Sequence, residues 1–350
     1  MMNQQKKKVL ALRTIAAIVT VSCIYLFAPW QAGLAWLKPL PATVQEQVDD
    51  AINYQLDGII VYVDKADQPP QFYAAGWKNR ELLVPADPHS LFKIASISKL
   101  YIAAAAAMLI DDKRLSLDDT VADYFPELIG KVKNADQITL RMLLQHRSGI
   151  PNWVEDPDRW NVSSTNVNDY LALVFDDPAN FAPDERYQYS NTNYLLIGNI
   201  LDQTLGYPHQ QFIRSDILDP LGLKETYAWL NDVDLTKLTS GYDVGYDLDF
   251  KTRVHRVPGG TMVATAQDTG KFLRALNDGT LLSESEQAIY SSIYAYEHTG
   301  LVAGYSSIAR YHKDIDAVVI QFVNTSGGNS WTMTEIIYSR IIKILKAQSE

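Results

Sequence analysis

The sequence predicts a mixed α/β fold in which a mostly antiparallel sheet, built from both chain ends, is flanked by helices and carries an inserted all-helical lobe. Short β-branched apolar runs, typical of strands, occur near both ends of the folded part. The segment between them combines helical spacing of apolar residues with frequent proline turns. The economical arrangement is therefore a single sheet made from the terminal strands, covered by the terminal helices.

The first elements of the folded part are a helix and two strands. Residues 42–55 carry an apolar β-branched residue at every fourth position of one stripe, which predicts a helix. The run GIIVYV at 58–63 predicts a strand, and 71–77 is expected to pair with it. Residues 96–110 are rich in Ala, the strongest helix former, and predict a second helix. From there to about residue 255 the chain is expected to be mostly helical.

The C-terminal part supplies the remaining elements of the predicted sheet and its cover. Residues 266–276 predict a helix, and two strands are expected at 305–311 and 317–323. The polar stretch His312-Lys313-Asp314 predicts the turn between these strands. A final amphipathic helix is expected over 331–346, where apolar residues recur every four positions.

The charge of the chain excludes some functions. The net charge is −10, and the basic residues of the first 30 positions have no acidic counterpart there, so the rest of the chain is more acidic still. Phosphate contacts need clustered Lys and Arg, which argues against nucleic acid as a partner. The one cysteine, Cys23, lies in the apolar leader, so the folded part has no disulfide and no thiol nucleophile.

Residues 1–40 are predicted to be a membrane anchor or a signal sequence, and 41–350 a single folded domain. Lys6–Lys8 and Arg13 precede an uncharged stretch that runs from Thr14 to Leu37. Basic residues stay on the cytoplasmic side, so the domain is expected outside the cell membrane, on one N-terminal helix. Secretion after cleavage of a signal is the alternative.

The first candidate for chemistry is the pair Ser96 and Lys99, in the sequence SISK. Three residues apart on a helix, the two side chains share a face. A serine hydroxyl needs an adjacent base, and a lysine can be that base when burial and nearby positive charge lower its pKa. Near a helix start the Ser96 N–H can also bind an oxyanion. By itself the pair is equally typical of an ordinary helix start.

The second candidate is Tyr189-Ser190-Asn191, in a loop expected just before an apolar helix over 194–205. A phenol can shuttle a proton when a nearby ammonium lowers its pKa. An asparagine amide can hold a substrate carbonyl or orient the lysine. The alternative is that Asn191 or Thr192 only caps the helix.

The third candidate is His298-Thr299-Gly300, shortly before the strand expected at 305–311. Glycine lets a substrate lie close to the backbone. The hydroxyl and the imidazole beside it can bind a carboxylate or relay a proton. On its own this tripeptide is a weak signal.

Together and in this order, the three motifs resemble those of the serine β-lactamase and penicillin-binding protein superfamily. The Tyr-x-Asn form is similar to the branch of class C β-lactamases, D-alanyl-D-alanine carboxypeptidases and related esterases. Further similar stretches are RLSLDDTVADYFPEL (114–128), ITLRMLLQHRSGIP (138–151) and GGTMVATAQDTGKFLRAL (259–276). The resemblance covers about residues 45–345 and implies a β-lactamase/transpeptidase-like fold with the site between the sheet region and the helical lobe.

The resemblance also implies a role for each matching residue. Ser96 becomes the nucleophile, Lys99 its base or proton relay, and Tyr189 the proton shuttle for acylation and deacylation. The substrate-binding residues are Asn191, for a substrate amide, and the edge-strand triplet His298, Thr299 and Gly300. The oxyanion hole consists of the N–H groups of Ser96 and Leu301.

Some positions depart from the family pattern. His298 stands where β-lactamases usually carry Lys, which argues against efficient β-lactamase activity. Asp184 stands where a Gly often precedes the tyrosine loop, with little effect expected. His146, in LLQHRSG, is expected to have a structural role in a turn. The histidines show no metal-ligand spacing and no nucleotide-binding motif is present, so neither metal nor cofactor is expected.

The sequence therefore predicts a serine hydrolase that acts by acyl transfer through Ser96, in the first place a penicillin-binding, D-alanyl-D-alanine carboxypeptidase-like enzyme on cell-wall peptides. An esterase or weak class C-like β-lactamase with the same residues is one alternative. A non-catalytic penicillin-binding sensor is another. The expected partners are a peptidoglycan peptide, a β-lactam or a small ester, and the membrane through the N-terminal helix.

Overall fold

A computed structural model of the protein describes residues 4–27, 30–158, 166–253 and 257–348. The chain divides after Leu40 into two units. In the first unit, helix α1 contains the stretch Lys8–Leu26, 19 residues that are long and apolar enough to cross a membrane; a signal sequence has the same properties. The second unit holds the expected hydrolase domain.

The helices and strands follow one another in the order that the sequence suggested, with helices concentrated in the middle. The α-helices are α1 Gln4–Phe27, α2 Trp30–Leu37, α3 Val44–Ala51, α4 Ser98–Asp111, α5 Val121–Tyr124, α6 Leu140–Leu144, α7 Val167–Leu171, α8 Asn191–Leu205, α9 His209–Phe212, α10 Ala266–Asp278, α11 Glu284–Ile293 and α12 Ser330–Ala347. The strands are β1 Gly58–Lys65, β2 Gln71–Asn79, β3 Val84–Pro85, β4 Phe92–Lys93, β5 Thr226–Tyr227, β6 Tyr242–Asp243, β7 Val263–Ala264, β8 His298–Val302, β9 Tyr305–His312, β10 Ala317–Val323 and β11 Thr325–Ser326.

Both ends of the domain meet in one antiparallel sheet. Across the described residues its strand order is β3-β2-β1-β10-β9-β8, so β1, from the N-terminal part, pairs with β10, from the C-terminal part. The register places Ile60 opposite Phe322 and Val63 opposite Val319. β10 is buried along its whole length, as a central strand rich in β-branched residues should be. The predicted mixed α/β fold is confirmed.

Each face of the sheet packs against helices. Val48 of α3 and Ile337 and Ile341 of α12 bury their side chains against Val61 and Val319 on one face. The opposite face, with α10 and the nucleophile helix α4, belongs to a larger apolar cluster that continues into the helical middle of the chain. Helix α10 lies on this face of the sheet, α4 packs against α10 with Tyr101 stacked on Phe272, and the residues just before α4 lie beside strand β8.

Three details differ from the expectations. Ser96 lies in a short 3₁₀ turn, Ala95–Ile97, and the α-helix begins only at Ser98. Helix α8 begins at Asn191, so Asn191 is in its first turn. The middle segment also contributes to a small three-stranded sheet, β4-β7-β5, which the sequence did not predict because its strands are two residues long.

Candidate active site

The candidate nucleophile, Ser96, is partly exposed on a tight turn. The preceding Ala95 has a φ of 48°, in the left-handed region, which costs a residue with a side chain on the order of 1 kcal/mol. Such strain persists only where the surroundings enforce it and is common at functional sites. The turn therefore presents the Ser96 hydroxyl outwards at the start of a buried helix.

Lys99 is buried, with only 1% of its surface exposed, and its amine contacts three oxygens. Nζ lies 3.1 Å from Ser96 Oγ, 2.9 Å from Asn191 Oδ1 and 2.9 Å from the Gly259 carbonyl oxygen. Burial disfavours the charged amine, with no carboxylate among the described residues to offset it, and lowers the pKa of Lys99 to about 7. A substantial fraction of this lysine is therefore neutral near pH 7 and able to accept a proton.

Tyr189 reaches the same hydroxyl from the other side. Its phenol lies 3.0 Å from Ser96 Oγ, and Lys99 Nζ lies 5.2 Å from the centre of its ring. Burial raises the pKa of Tyr189 to about 12, while the hydrogen bond with Ser96 lowers it slightly. The expectation that Lys99 lowers the phenol's pKa is wrong, because Lys99, with a pKa of about 7, is already neutral at the high pH where this phenol loses its proton. Near pH 7, Tyr189 is therefore a protonated phenol, and Lys99 is the member of this pair that can accept a proton.

Asn191 orients Lys99. Its Oδ1 accepts the hydrogen bond from Lys99 Nζ, and its Nδ2 is 3.3 Å from Asn152 Oδ1. The same Asn152 oxygen accepts the backbone N–H of Asn191 at 2.9 Å. Because this Asn152 atom accepts a backbone N–H, it is the amide oxygen, and the Asn191 group that faces it is the NH₂ group. The amide oxygen of Asn191 therefore faces the lysine. Asn152 was not singled out from the sequence, where nothing in its neighbourhood distinguishes it from other loop asparagines.

His298, Thr299 and Gly300 lie in β8, the edge strand of the sheet next to β9. A Cβ on Gly300 would lie 2.3 Å from the Ile94 carbonyl oxygen and 3.2 Å from Ala95 Cβ. Only glycine therefore allows β8 to run directly past the turn that carries Ser96. Leu301, the next residue, is 57% exposed on this edge. The structure thus brings the edge strand and the nucleophile turn together.

The His298 ring is neutral at physiological pH. Burial, assisted by the positive charge of Lys99, lowers the pKa of His298 to about 4. Its ring stacks on Tyr294 with centroids 5.8 Å apart, and its Nδ1 contacts the carbonyl oxygen of Thr299. The edge strand therefore offers a substrate polar groups and no fixed positive charge at this position.

The described residues show other contributors that sequence reasoning missed. Gly259, with a φ of 77°, supplies a carbonyl to Lys99, and a Cβ there would lie 3.0 Å from Lys99 Cγ. The rings of Tyr194 and His146 also lie beside Lys99 or Tyr189. The GG pair at 259–260 was a usable signal, because glycine permits close approach to the backbone.

The chain is similar in sequence and in fold to known proteins. The family model described as Beta-lactamase matches residues 40–293, which includes the nucleophile turn and the tyrosine loop but ends before β8. Protein flp of Staphylococcus aureus (strain MW2) is 28% identical over 221 residues, which is 61% of this chain and 43% of that protein. The chain thus matches less than half the length of this curated relative.

Two solved structures share the fold over nearly the whole domain. D-amino acid amidase from Ochrobactrum anthropi SV3, complexed with L-phenylalanine amide, is 24% identical with a TM-score of 0.77, covering 88% of this chain and 98% of that one. A penicillin binding protein from Bacillus halodurans is 21% identical with a TM-score of 0.73, covering 85% and 99%. With the family model matching well over half of its residues, this chain belongs to the beta-lactamase family of serine hydrolases.

Proposed function

We propose that the protein hydrolyses its substrate through an acyl-enzyme on Ser96, with Lys99 as general base and Tyr189 as proton shuttle. The observation that carries this proposal is the hydrogen bonding of Lys99. Asn191 Oδ1 and the Gly259 carbonyl can only accept, so they take two N–H groups of the amine. In the neutral amine this leaves the lone pair for the third contact, the hydroxyl of Ser96.

The proposed acylation starts from this arrangement. Ser96 transfers its proton to Lys99 as its oxygen bonds to the substrate carbonyl carbon, whose oxygen becomes an oxyanion. The N–H groups of Ser96 and Leu301 are proposed to hold that oxyanion. The bond to the leaving group then breaks as the leaving group takes up a proton, and water later hydrolyses the ester on Ser96.

Tyr189 is proposed to carry that proton to the leaving group. Its hydroxyl lies 3.0 Å from Ser96 Oγ, and its pKa of about 12 keeps it protonated at rest. A phenol that donates to the leaving group and is reprotonated from Lys99 completes the transfer without bulk water. Asn191 is proposed to contribute twice, by orienting Lys99 and by binding a substrate amide.

For the substrate we propose D-aminoacyl peptides, in the manner of a D-alanyl-D-alanine carboxypeptidase acting on cell-wall peptides. The likeness to a penicillin binding protein and a D-amino acid amidase supports this class. The neutral His298 favours a second candidate, a D-aminoacyl amide or ester without a carboxylate, because the edge strand carries no fixed positive charge there. A non-catalytic sensor is disfavoured by the complete set of contacts around Ser96.

A panel of four substrates tests these proposals on the purified protein. A fluorescent penicillin, a nitrophenyl ester, a D-Ala-D-Ala peptide and a D-amino acid amide are compared by kcat/KM. We expect turnover of the peptide or the amide to exceed that of the penicillin. Preference for the peptide over the amide supports the carboxypeptidase, and the reverse supports the amidase. Labelling by penicillin with no turnover of any substrate would instead indicate a sensor.

The site of action is proposed to be the outer face of the cell membrane, with helix α1 as anchor. The stretch Lys8–Leu26 supports this by length and composition, and the basic residues ahead of it set the direction. The alternative is that this segment is cleaved as a signal sequence, which would release the domain into the medium.

A further inference from the structure

The turn that follows α6 runs alongside the loop that carries Tyr189. Backbone N–H groups of Asn180, Asp184 and Gln188 each donate, at 2.9 Å, to carbonyls of the segment 146–149. A Cβ on Gly149 would lie 2.3 Å from the Phe181 carbonyl oxygen, so the two segments are in direct contact. The position of the tyrosine loop is therefore set by this turn.

One residue of the turn, His146, holds the chain on both sides of Tyr189. Its carbonyl oxygen accepts the N–H of Gln188 at 2.9 Å, and its ring Nδ1 accepts the N–H of Ser190 at 3.3 Å. Its ring also packs on the Tyr189 ring, with centroids 4.5 Å apart. A backbone contact, a side-chain contact and a ring contact thus converge on the residue whose phenol contacts Ser96.

The backbone conformation of His146 ends helix α6. His146 is 2% exposed and has a φ of 56°, the left-handed conformation that is common just after the last residue of a helix. The N–H groups of His146 and Arg147 bond back to the carbonyls of Leu143 and Met142, at 3.1 Å and 2.7 Å. This conformation lets the carbonyl and the side chain of His146 face the same neighbouring segment.

The hydrogen bonds fix the tautomer of the His146 ring. Both partners of Nδ1 are donors: the Ser190 N–H, and the Asn193 amide nitrogen at 3.3 Å. The Asn193 amide is oriented by Ser148, whose hydroxyl donates to Asn193 Oδ1 at 2.7 Å. Burial, with Lys99 and His298 nearby, lowers the pKa of His146 to about 3, so Nδ1 remains an acceptor at physiological pH. The proton of the neutral ring is therefore on Nε2.

From these contacts we infer that His146 is a positioning residue, which keeps the Tyr189 phenol in hydrogen-bond reach of Ser96 through the Nδ1 acceptor. The inference rests on the proposed role of Tyr189 in proton transfer. His146 itself touches neither Ser96 nor Lys99 by a hydrogen bond in the described residues. Its effect on the reaction passes through Tyr189, and this sets the design of the test.

Two substitutions separate the acceptor at Nδ1 from the bulk of the ring. In His146→Asn the amide oxygen can occupy the place of Nδ1, whereas in His146→Gln it falls near the place of Nε2. Each substitution is made in the wild type and in Tyr189→Phe. For every variant, kcat and KM are measured with a nitrophenyl ester, and the melting temperature is measured by thermal unfolding. We expect His146→Gln to lower kcat by about tenfold, less than the about 10²–10⁴-fold that a general acid–base group itself contributes, and His146→Asn to retain most of kcat.

The effect of His146→Gln in the Tyr189→Phe background shows whether His146 acts through Tyr189. If His146 acts through Tyr189, His146→Gln changes kcat little in that background, although it still lowers the melting temperature. An equal fold-loss of kcat in both backgrounds would overturn the inference, and so would equal rates for His146→Gln and the wild type. If Tyr189→Phe alone leaves kcat unchanged, the proposed role of Tyr189 fails and the inference fails with it.

Asn193→Ala keeps the test decisive should His146→Gln fail to fold. It removes only the second donor to Nδ1, so we expect a smaller loss of kcat that again disappears in Tyr189→Phe. A loss of the same size in both backgrounds would contradict the inference.

Discussion

At the scale of single residues, the proposed mechanism depends on which of Lys99 and Tyr189 carries a proton at neutral pH. Burial disfavours the charged form of each group, so it lowers the pKa of the amine to about 7 and raises that of the phenol to about 12. Both side chains contact Ser96 Oγ, at 3.1 Å and 3.0 Å. At neutral pH, one group that can accept a proton and one that can donate a proton therefore contact the same hydroxyl.

The pH dependence of acylation should report Lys99. The amine acts as a base only when neutral, so the rate should rise with pH through about 7 and level off above it. His298, with a pKa of about 4, and Tyr189, with a pKa of about 12, do not titrate in this range. Stopped-flow acylation by a nitrophenyl ester measures the profile; a rate that falls as pH rises through 7 would contradict this assignment.

Lys93 provides the control for that profile, because burial lowers its pKa to about 7 as well. Its Nζ donates to the carbonyl oxygens of Phe250 and Arg253, at 2.8 Å each, away from Ser96. Lys93→Arg stays charged throughout the range. The inflection near 7 should persist in this variant if it belongs to Lys99.

Lys99 and Tyr189 should behave as one unit. Positioned general bases and acids supply about 10²–10⁴-fold in rate, so Lys99→Ala and Tyr189→Phe should each slow acylation by at least about 10²-fold. Acylation in the double variant should be only slightly slower than in the slower of the two single variants, because both substitutions interrupt the same proton path. Stopped-flow rates of the four proteins test this, and losses that multiply fully would mean that the two residues act independently.

The motif residues were accessible from sequence because they come in short, ordered patterns. Ser96, Lys99, Tyr189, Asn191 and the triplet at 298–300 all meet at one place in the structure. The direction of the Tyr189 pKa was predicted wrongly, because it depends on burial, which no local pattern encodes. Asn152 and the Gly259 carbonyl were missed for a related reason, since their contacts to the site are made between segments far apart in the chain.

At the scale of elements, the site depends on the close approach of edge strand β8 to the turn at Ala95–Ile97. Gly300 permits this approach, and β9 supports the strand from behind, with Gly300 opposite Ser307. The Ser307 hydroxyl oxygen lies 3.3 Å from the carbonyl oxygens of both Ile94 and Gly300, which share its single proton. One buried serine thus links the edge strand to the segment that leads into Ser96.

Gly300→Ala should damage the site through this contact. A Cβ would lie 2.3 Å from the Ile94 carbonyl oxygen and 2.4 Å from Ser307 Oγ, so the strand or the turn must move. Overpacking of this kind lowers the free energy of unfolding by about 1–3 kcal/mol. Because the displaced strand belongs to the site, kcat/KM should also fall at temperatures where the variant is still fully folded. Kinetics with a nitrophenyl ester and thermal unfolding measure both effects.

Gly260→Ala is the matched control. The atom nearest to a Cβ there is Val257 Cγ2, at 3.7 Å, an ordinary contact. This variant should keep its activity and stability close to those of the wild type. Wild-type kinetics in Gly300→Ala would show that β8 does not have to lie against the nucleophile turn.

Long elements with clear periodicity were predicted well, and short ones were not. Strands β1, β9 and β10 and helix α12 match the expected positions within a few residues. Helix α11, Glu284–Ile293, was missed, although Ser283 and Glu286 form a capping box that is visible in the sequence. The 3₁₀ turn at Ser96 could not be predicted, because it depends on the left-handed Ala95, which tertiary contacts enforce.

At the scale of the whole molecule, the chain consists of an apolar N-terminal unit and a folded domain that starts after Leu40. The domain buries its core between the sheet and helices α3, α10 and α12. The prediction that one sheet combines strands from both ends of the domain is confirmed by the pairing of β1 with β10. The walls of the substrate pocket could not be predicted, because they come from loops.

We predict that the full chain fractionates with membranes and that a chain shortened to begin at Pro41 is soluble and equally active. The stretch Lys8–Leu26 is long enough to span the ~30 Å apolar core of a bilayer. Fractionation followed by N-terminal sequencing measures this. Protein released into the medium with a new N-terminus near Trp36 would instead show a cleaved signal sequence.

The central claim, that Ser96 carries the acyl group, is tested most directly by mass spectrometry of the protein after reaction with a penicillin or a nitrophenyl ester. The claim predicts one acyl adduct on the peptide that contains Ser96, and none in Ser96→Ala, which should remain folded by thermal unfolding. The neighbouring Ser98 is the internal control, because its hydroxyl is buried and donates to the Ala95 carbonyl. An adduct on Ser98 or Ser190, or continued turnover by folded Ser96→Ala, would contradict the mechanism.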